Sequence, residues 1–159
     1  MRDSLHRRRQ TAKTRTMNQH TLTIRSARAA DAADLFPIVA EFATSFVPER
    51  SAFGRALPRI LSDQDACLLV AELDDRVTGY LLGFEHLTFF ANGPVSWVEE
   101  IAVTASLRRT GIGRALMASF EQWAASRGSR LVALATRRAA GFYSELGYHE
   151  SAAYFRRML

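Results

Sequence analysis

Val98-Glu-Glu-Ile-Ala-Val-Thr-Ala-Ser-Leu-Arg-Arg-Thr-Gly-Ile-Gly-Arg-Ala-Leu116 is the stretch on which the fold turns. An apolar strand pattern leaves through a polar loop and runs directly into an amphipathic helix, with Gly111 and Gly113 at the joint. Glycine there lets a ligand approach the backbone and permits φ values that other residues resist. The first N–H groups of a helix lack intrahelical partners and sit at its positive dipole end, so they suit phosphate oxygens. Arg108, Arg109 and Arg114 bracket the same spot and add charge-assisted bonds to that capacity. Two familiar glycine motifs fail: Gly111-x-Gly113-x-x-Leu116 lacks the third glycine of a dinucleotide fingerprint, and no Gly-Lys-Ser/Thr makes a P-loop. From these residues alone, an anion seat and a bare tight turn both stand.

Outward from this joint the chain alternates strand and helix. Thr21 to Ala27 reads as a strand. Asp31 then caps a helix with Leu35, Ile38, Val39, Phe42 and Phe46 on its apolar face, broken at Pro48 and followed by a shorter helix from Ser51 to Leu61. Cys67 to Leu73 is an apolar strand ending at the turn residues Asp74-Asp75, and Val77 to Phe90 returns from it. Past the Asn92-Gly93-Pro94 turn, Val95 to Val103 is the fourth strand. Gly111 to Arg127 is a helix burying Ile112, Leu116, Phe120 and Trp123. Arg130 to Thr136 is a strand, Arg138 to Leu146 a helix, and the chain returns to strand from Tyr148 onward. This order predicts an α/β layered domain, a mixed sheet covered by helices.

Arg108-x-x-Gly111-x-Gly113, preceded by Ile-Ala-Val, resembles motif A of the GNAT acetyltransferases. Ala139-Ala-Gly-Phe-Tyr143-Ser-Glu-Leu-Gly-Tyr148 resembles that family's Phe-Tyr-x-x-Leu-Gly-Tyr/Phe segment, and the element order matches over about residues 21–159. The resemblance implies a single domain with a six- to seven-stranded mixed sheet, splayed open after the fourth strand, and acetyl-CoA as co-substrate. It places the pantetheine in the split against the backbone of Ile101, Ala102 and Val103. The pyrophosphate would rest on Arg108, Arg109, Thr110, Gly111, Ile112, Gly113 and Arg114. Thr136 stands where the family often has asparagine; it can still cap the following helix.

Acyl transfer to an amine requires that the amine lose a proton, that an oxyanion find a donor, and that a thiolate be protonated or stabilised. Backbone N–H near Val103 is the candidate oxyanion donor. Tyr143, a phenol protonated at neutral pH, matches the family's usual acid; a residue that only packs over the cofactor is the other reading. Glu99 and Glu100 are candidate bases. Strict alternation sends them to opposite faces, Glu99 with Trp97, Ile101 and Val103, and Glu100 with Val98 and Ala102. Family members with two acidic residues here use the first through water, which points to Glu99; binding a cationic acceptor or pairing with an arginine would suit either carboxylate equally. His86, beside Glu85 on the third strand, and His149 are weaker candidates. No nucleophile elbow supports hydrolase chemistry, and no Cys/His cluster has metal-ligand spacing.

The chain has 159 residues, 48% hydrophobic and 23% charged, which suits one globular domain, and no apolar run approaches membrane-spanning length. Its net charge of +5 belongs entirely to residues 1–20, where Arg2, Arg7, Arg8, Arg9, Lys13 and Arg15 face only Asp3. This stretch is expected to be a disordered basic tail before the domain at 21–159; Met17 is a candidate true start. A nucleic-acid arm is disfavoured because the rest of the chain is charge-balanced. No apolar core follows the basic run, so it is not read as a signal peptide. A lone cysteine, Cys67, precludes an internal disulfide, and a cytoplasmic setting fits. The expected function is N-acetyl transfer from acetyl-CoA to a primary amine, on a small molecule or a peptide, in a ternary complex, with no membrane partner and a homodimer allowed. A non-catalytic acyl-CoA-binding module and an acetyltransferase for RNA-bound amines are the alternatives.

Overall fold

In the computed structural model, which describes residues 15–17 and 20–159, these periodicities become a six-stranded mixed sheet with helices on both faces. The strands are β1 (Arg15–Met17), β2 (His20–Ser26), β3 (Ala66–Leu73), β4 (Arg76–Thr88), β5 (Gly93–Val103) and β6 (Val132–Leu134). The helices are α1 (Ala32–Phe42), α2 (Arg50–Ser62), α3 (Ile112–Ser126) and α4 (Ala140–Glu145). Sheet order follows chain order, and all neighbours are antiparallel except β5 and β6. The reason lies in the connections. Asp74 and Asp75 both take positive φ, 50° and 62°, which suits the tight hairpin joining β3 to β4. β5 instead leaves through the glycine loop and α3, and such a crossover returns the next strand parallel.

Two apolar cores form, one on each face. Ile112, Leu116, Met117 and Phe120 of α3 pack on Leu22, Ala71, Leu81 and Val98. On the other face Leu35, Ile38 and Leu57 from α1 and α2 pack on Val70, Tyr80 and Leu82. Gly83 makes the first packing possible: a Cβ there would collide with the Phe120 ring and stand 2.8 Å from the Trp97 carbonyl oxygen.

β6 pairs only with Ser96, Trp97 and Val98, so Glu99–Val103 has no strand beside it on that edge among the described residues. The sheet is therefore split beyond the first half of β5, as expected. The alternation of β5 departs from the strict pattern. Leu82 pairs with Glu100, but Gly83 pairs with Val98, leaving Glu99 as the extra residue of a β-bulge. Because side-chain direction has period 2, one extra residue exchanges the faces. Val98, Ile101 and Val103 consequently pack with α3, whereas Ala102 packs on the α1–α2 face. The expectation that Glu99 shares a face with Ile101, and Glu100 with Val98, is overturned.

Other expectations shift at the ends of elements. Asp31 does not cap α1 with its side chain. Its carboxylate accepts from the Arg28 N–H at 2.7 Å and from both terminal nitrogens of Arg25 at 2.8 Å, while Arg25 Nε donates to Glu72 at 2.9 Å. Hydrogen bonding to Arg25 holds the Asp31 carboxyl below its usual range. α1 stops at Phe42, where Ala43 turns extended, so Phe46 is exposed. Residues 148–159 form no strand. The sheet ends on the three-residue β6, a short template for pairing, and Arg156 instead donates to Ser45 Oγ (2.9 Å) beside the α1–α2 connection. β1 begins the sheet within the stretch read as tail; residues 1–14, which carry most of the basic charge, lie outside the described residues.

Candidate functional site

The shape of the glycine loop is set by its backbone. After the single turn Ala105–Leu107, Arg109 (φ 63°) and Gly111 (φ 92°) both take left-handed conformations. Successive N–H groups in such a turn form an anion-binding concavity. Ala115 N–H donates to the Gly111 carbonyl at 3.0 Å, so the N–H groups of Ile112, Gly113 and Arg114 precede the first intrahelical bond. A Cβ on Gly111 would meet nothing within 4 Å, so its surroundings are open. Thr110 Oγ1 donates to the Leu107 carbonyl (2.7 Å) and fixes the turn. Arg109 is exposed, as is Arg114, whose guanidinium lies 3.9 Å from Glu145. Arg108 is engaged elsewhere: Nε donates to the Val103 carbonyl (3.1 Å) and a terminal nitrogen to Glu41 (2.8 Å) on α1.

α4 sits against this loop, since a Cβ on Gly113 would come 3.4 Å from the Phe142 ring. Thr136 Oγ1 accepts from the Ala139 N–H (3.0 Å), which orders the turn ahead of α4, but the helix itself has no side-chain cap, so the expected capping role is not filled. Tyr143, 8% exposed, belongs to the core on the α3 face, edge-on to Phe142 and Tyr148 at 5.0 and 5.9 Å between centroids. Burial pushes its phenol pKa up, so it holds its proton at neutral pH.

On the opposite face a cavity of about 130 Å³ opens between α1, α2 and the sheet, with Glu100 in its wall. Tyr80 OH donates to Glu100 Oε2 at 2.6 Å. Burial, and then the neighbouring carboxylate, hold the Tyr80 phenol above its ordinary pKa, so it remains the donor. Tyr80 was not expected at the site. Its alternation with Leu82 was visible, but the diagonal contact with Glu100 depends on a hairpin register that the bulge displaces.

The remaining candidates separate from this centre. Glu99, the bulged residue, is exposed. His86 is exposed and pairs with Val95 at the far end of the β4–β5 hairpin, four residues from Leu82. At about 3.3 Å per residue it stands more than ~10 Å along the strand from Glu100. Glu85 is bound by Arg127 (3.0 Å) and Ser129 (3.2 Å). His149 is exposed, and burial pushes the Cys67 thiol up to about 12, which leaves it no thiolate for chemistry. Around the α1–α2 connection, Phe53 lines the cavity, Arg50 stacks over Phe36 at 4.4 Å, and Phe46 faces solvent.

The family model described as Acetyltransferase (GNAT) family matches residues 32–148, from the start of α1 to just past α4. The chain belongs to the GNAT acetyltransferase family. No curated protein matches the sequence. Solved structures carry the same GNAT fold at low identity. A transcriptional regulator from Bacillus halodurans C-125 superposes with a TM-score of 0.78 at 23% identity, covering 87% of this chain and 99% of that one. Glucosamine-6-phosphate N-acetyltransferase from Arabidopsis thaliana gives 0.77 at 18% identity, covering 87% and 98%. Ribosomal-protein-alanine N-acetyltransferase from Brucella melitensis gives 0.68 at 20% identity, covering 86% and 99%. At these identities the GNAT fold is shared, while the acceptors named for the two N-acetyltransferases differ from each other. Among the described residues no helix is long and apolar enough to cross a membrane.

Proposed function

We propose that this GNAT protein transfers the acetyl group of acetyl-CoA to a primary amine by direct attack within a ternary complex, in the cytoplasm. The observation that carries this reading is the split beside Glu99–Val103, bordered at its helix end by the glycine loop and flanked by Tyr143 on one face and Glu100 on the other. The N–H groups of Ile112, Gly113 and Arg114, with the Arg109 and Arg114 side chains, hold the pyrophosphate. Thr110 and Arg108 brace that loop, and Thr136 keeps α4 in place. The backbone of Ile101, Ala102 and Val103 faces the pantetheine. Glu100, directly or through water, takes a proton from the ammonium. The amine nitrogen then bonds to the thioester carbonyl carbon, and a backbone N–H near Val103 stabilises the oxyanion. As the C–S bond breaks, Tyr143 gives its proton to the thiolate, the newly acylated nitrogen loses its second proton through water to restore the phenol, and Glu100 returns its own proton to solvent. Acid and base belong to opposite faces of β5 and meet one reacting centre only across the split.

Calorimetry with acetyl-CoA and thiol release across a panel of primary amines test this reading. Asparagine tolerates left-handed φ, so Gly111→Asn keeps the turn and places a side chain in the open space above it. The expected result is a folded variant with at least tenfold weaker acetyl-CoA binding. A wild-type protein that ignores acetyl-CoA, or a variant that binds it unchanged, would remove the loop assignment. Tight binding without thiol release from any amine would make the protein a binding module.

A further inference from the structure

The cavity beside Glu100 has a composition that constrains what it takes. Leu35, Val39, Phe53, Leu57, Leu68 and Leu82 supply its walls, and among the described residues Glu100 is the only charged one in its lining. We propose that the acceptor is a compact hydrophobic primary amine, a ring-sized hydrocarbon carrying one ammonium group, seated between α1, α2 and the sheet with its nitrogen against Glu100. This rests on the acetyltransferase reading and names the substrate class of the same site.

Size, charge and hydrogen bonding lead to the same class. The cavity measures about 130 Å³. An apolar cavity of about 150 Å³ is enough to take up benzene. Tyr80 OH occupies Glu100 Oε2, which fixes the carboxylate and leaves Oε1 to accept from an ammonium. One carboxylate neutralises one cation. A polyamine would bring further charges to a wall without a second acid. Phe36 packs edge-on to Phe53 at 5.4 Å, so the aromatic part of the wall is braced from behind. An amino sugar would carry hydroxyl groups against leucine and valine, losing water without gaining partners. A peptide amine would bring its amide groups to the same apolar walls.

Calorimetric titrations in excess CoA, the thiol product, measure acceptor binding without turnover. The probes are phenethylamine, glucosamine, spermidine and an alanine tripeptide. Phenethylamine is expected to bind at least tenfold tighter than the other three. Val39→Phe fills the cavity and is expected to weaken phenethylamine at least tenfold with CoA affinity unchanged. Ala56→Phe, at the exposed mouth, gives the same reading if the first variant folds poorly. Phenethylamine binding no tighter than glucosamine, or unaffected by a folded Val39→Phe or Ala56→Phe protein, would overturn the proposal. If CoA itself fails to bind, the acetyltransferase reading falls, and the phenethylamine titrations of wild type and variants still decide whether the cavity takes hydrophobic amines.

Discussion

The Glu100 carboxylate accepts a 2.6 Å bond from Tyr80 in the wall of an apolar cavity, while the side chain of its neighbour Glu99 is exposed at the bulge. General base catalysis, the role proposed for Glu100, is typically worth about 10²–10⁴-fold in rate. Glu100→Gln should therefore lower kcat/KM at neutral pH on that scale and recover part of it as rising pH deprotonates the free amine. Glu99→Gln should stay near wild type through the same pH series, and equal, small effects from both would end the carboxylate-base assignment. Tyr143→Phe should lower kcat by a similar factor with acetyl-CoA affinity little changed, as transient kinetics and calorimetry would show. The loop and Tyr143 were legible in the sequence because each lies within one contiguous motif. Which glutamate enters the cavity was not, since that depends on pairing between residues 82 and 100 across a hairpin.

At the scale of elements, the closest packing is α3 on β4, where Phe120 is fully buried over Gly83. Overpacking of this kind costs about 1–3 kcal/mol. Gly83→Ala should thus destabilise the fold, and near this size each kcal/mol lowers the midpoint by roughly 3 °C. A thermal melt indistinguishable from wild type would show that α3 can shift away without loss. α3 and the β3–β4 hairpin were readable because helical and strand periodicities are long there and the Asp74-Asp75 turn is distinctive. β6 proved three residues long where seven had strand character, and the apolar C-terminal residues Tyr154 and Phe155 are exposed rather than paired. A local pattern states which residues tolerate a strand; an available edge decides whether one forms.

For the molecule as a whole, the order of elements already implied helices on both faces of a mixed sheet, and the shared fold at 18–23% identity shows how few particular side chains that arrangement requires. The location of the split was implied only by resemblance, because it rests on how far β6 follows β5. One consequence follows from the bulge that lies at its edge. Glu99 acts as a shim: its side chain makes no contribution to either core, and the residues on both sides of it pair with consecutive positions of β4, Val98 with Gly83 and Glu100 with Leu82. Taking it out would close the bulge. Val98 and Glu100 would become neighbours that still point to opposite faces, so both cores would keep their residues. Glu99→Ala should accordingly change stability by no more than about 0.5 kcal/mol, and deletion of Glu99 should still leave a protein with a cooperative denaturant melt. What the deletion removes is the local bend and twist of β5 beside the split, so its cost should fall on acetyl transfer rather than on folding.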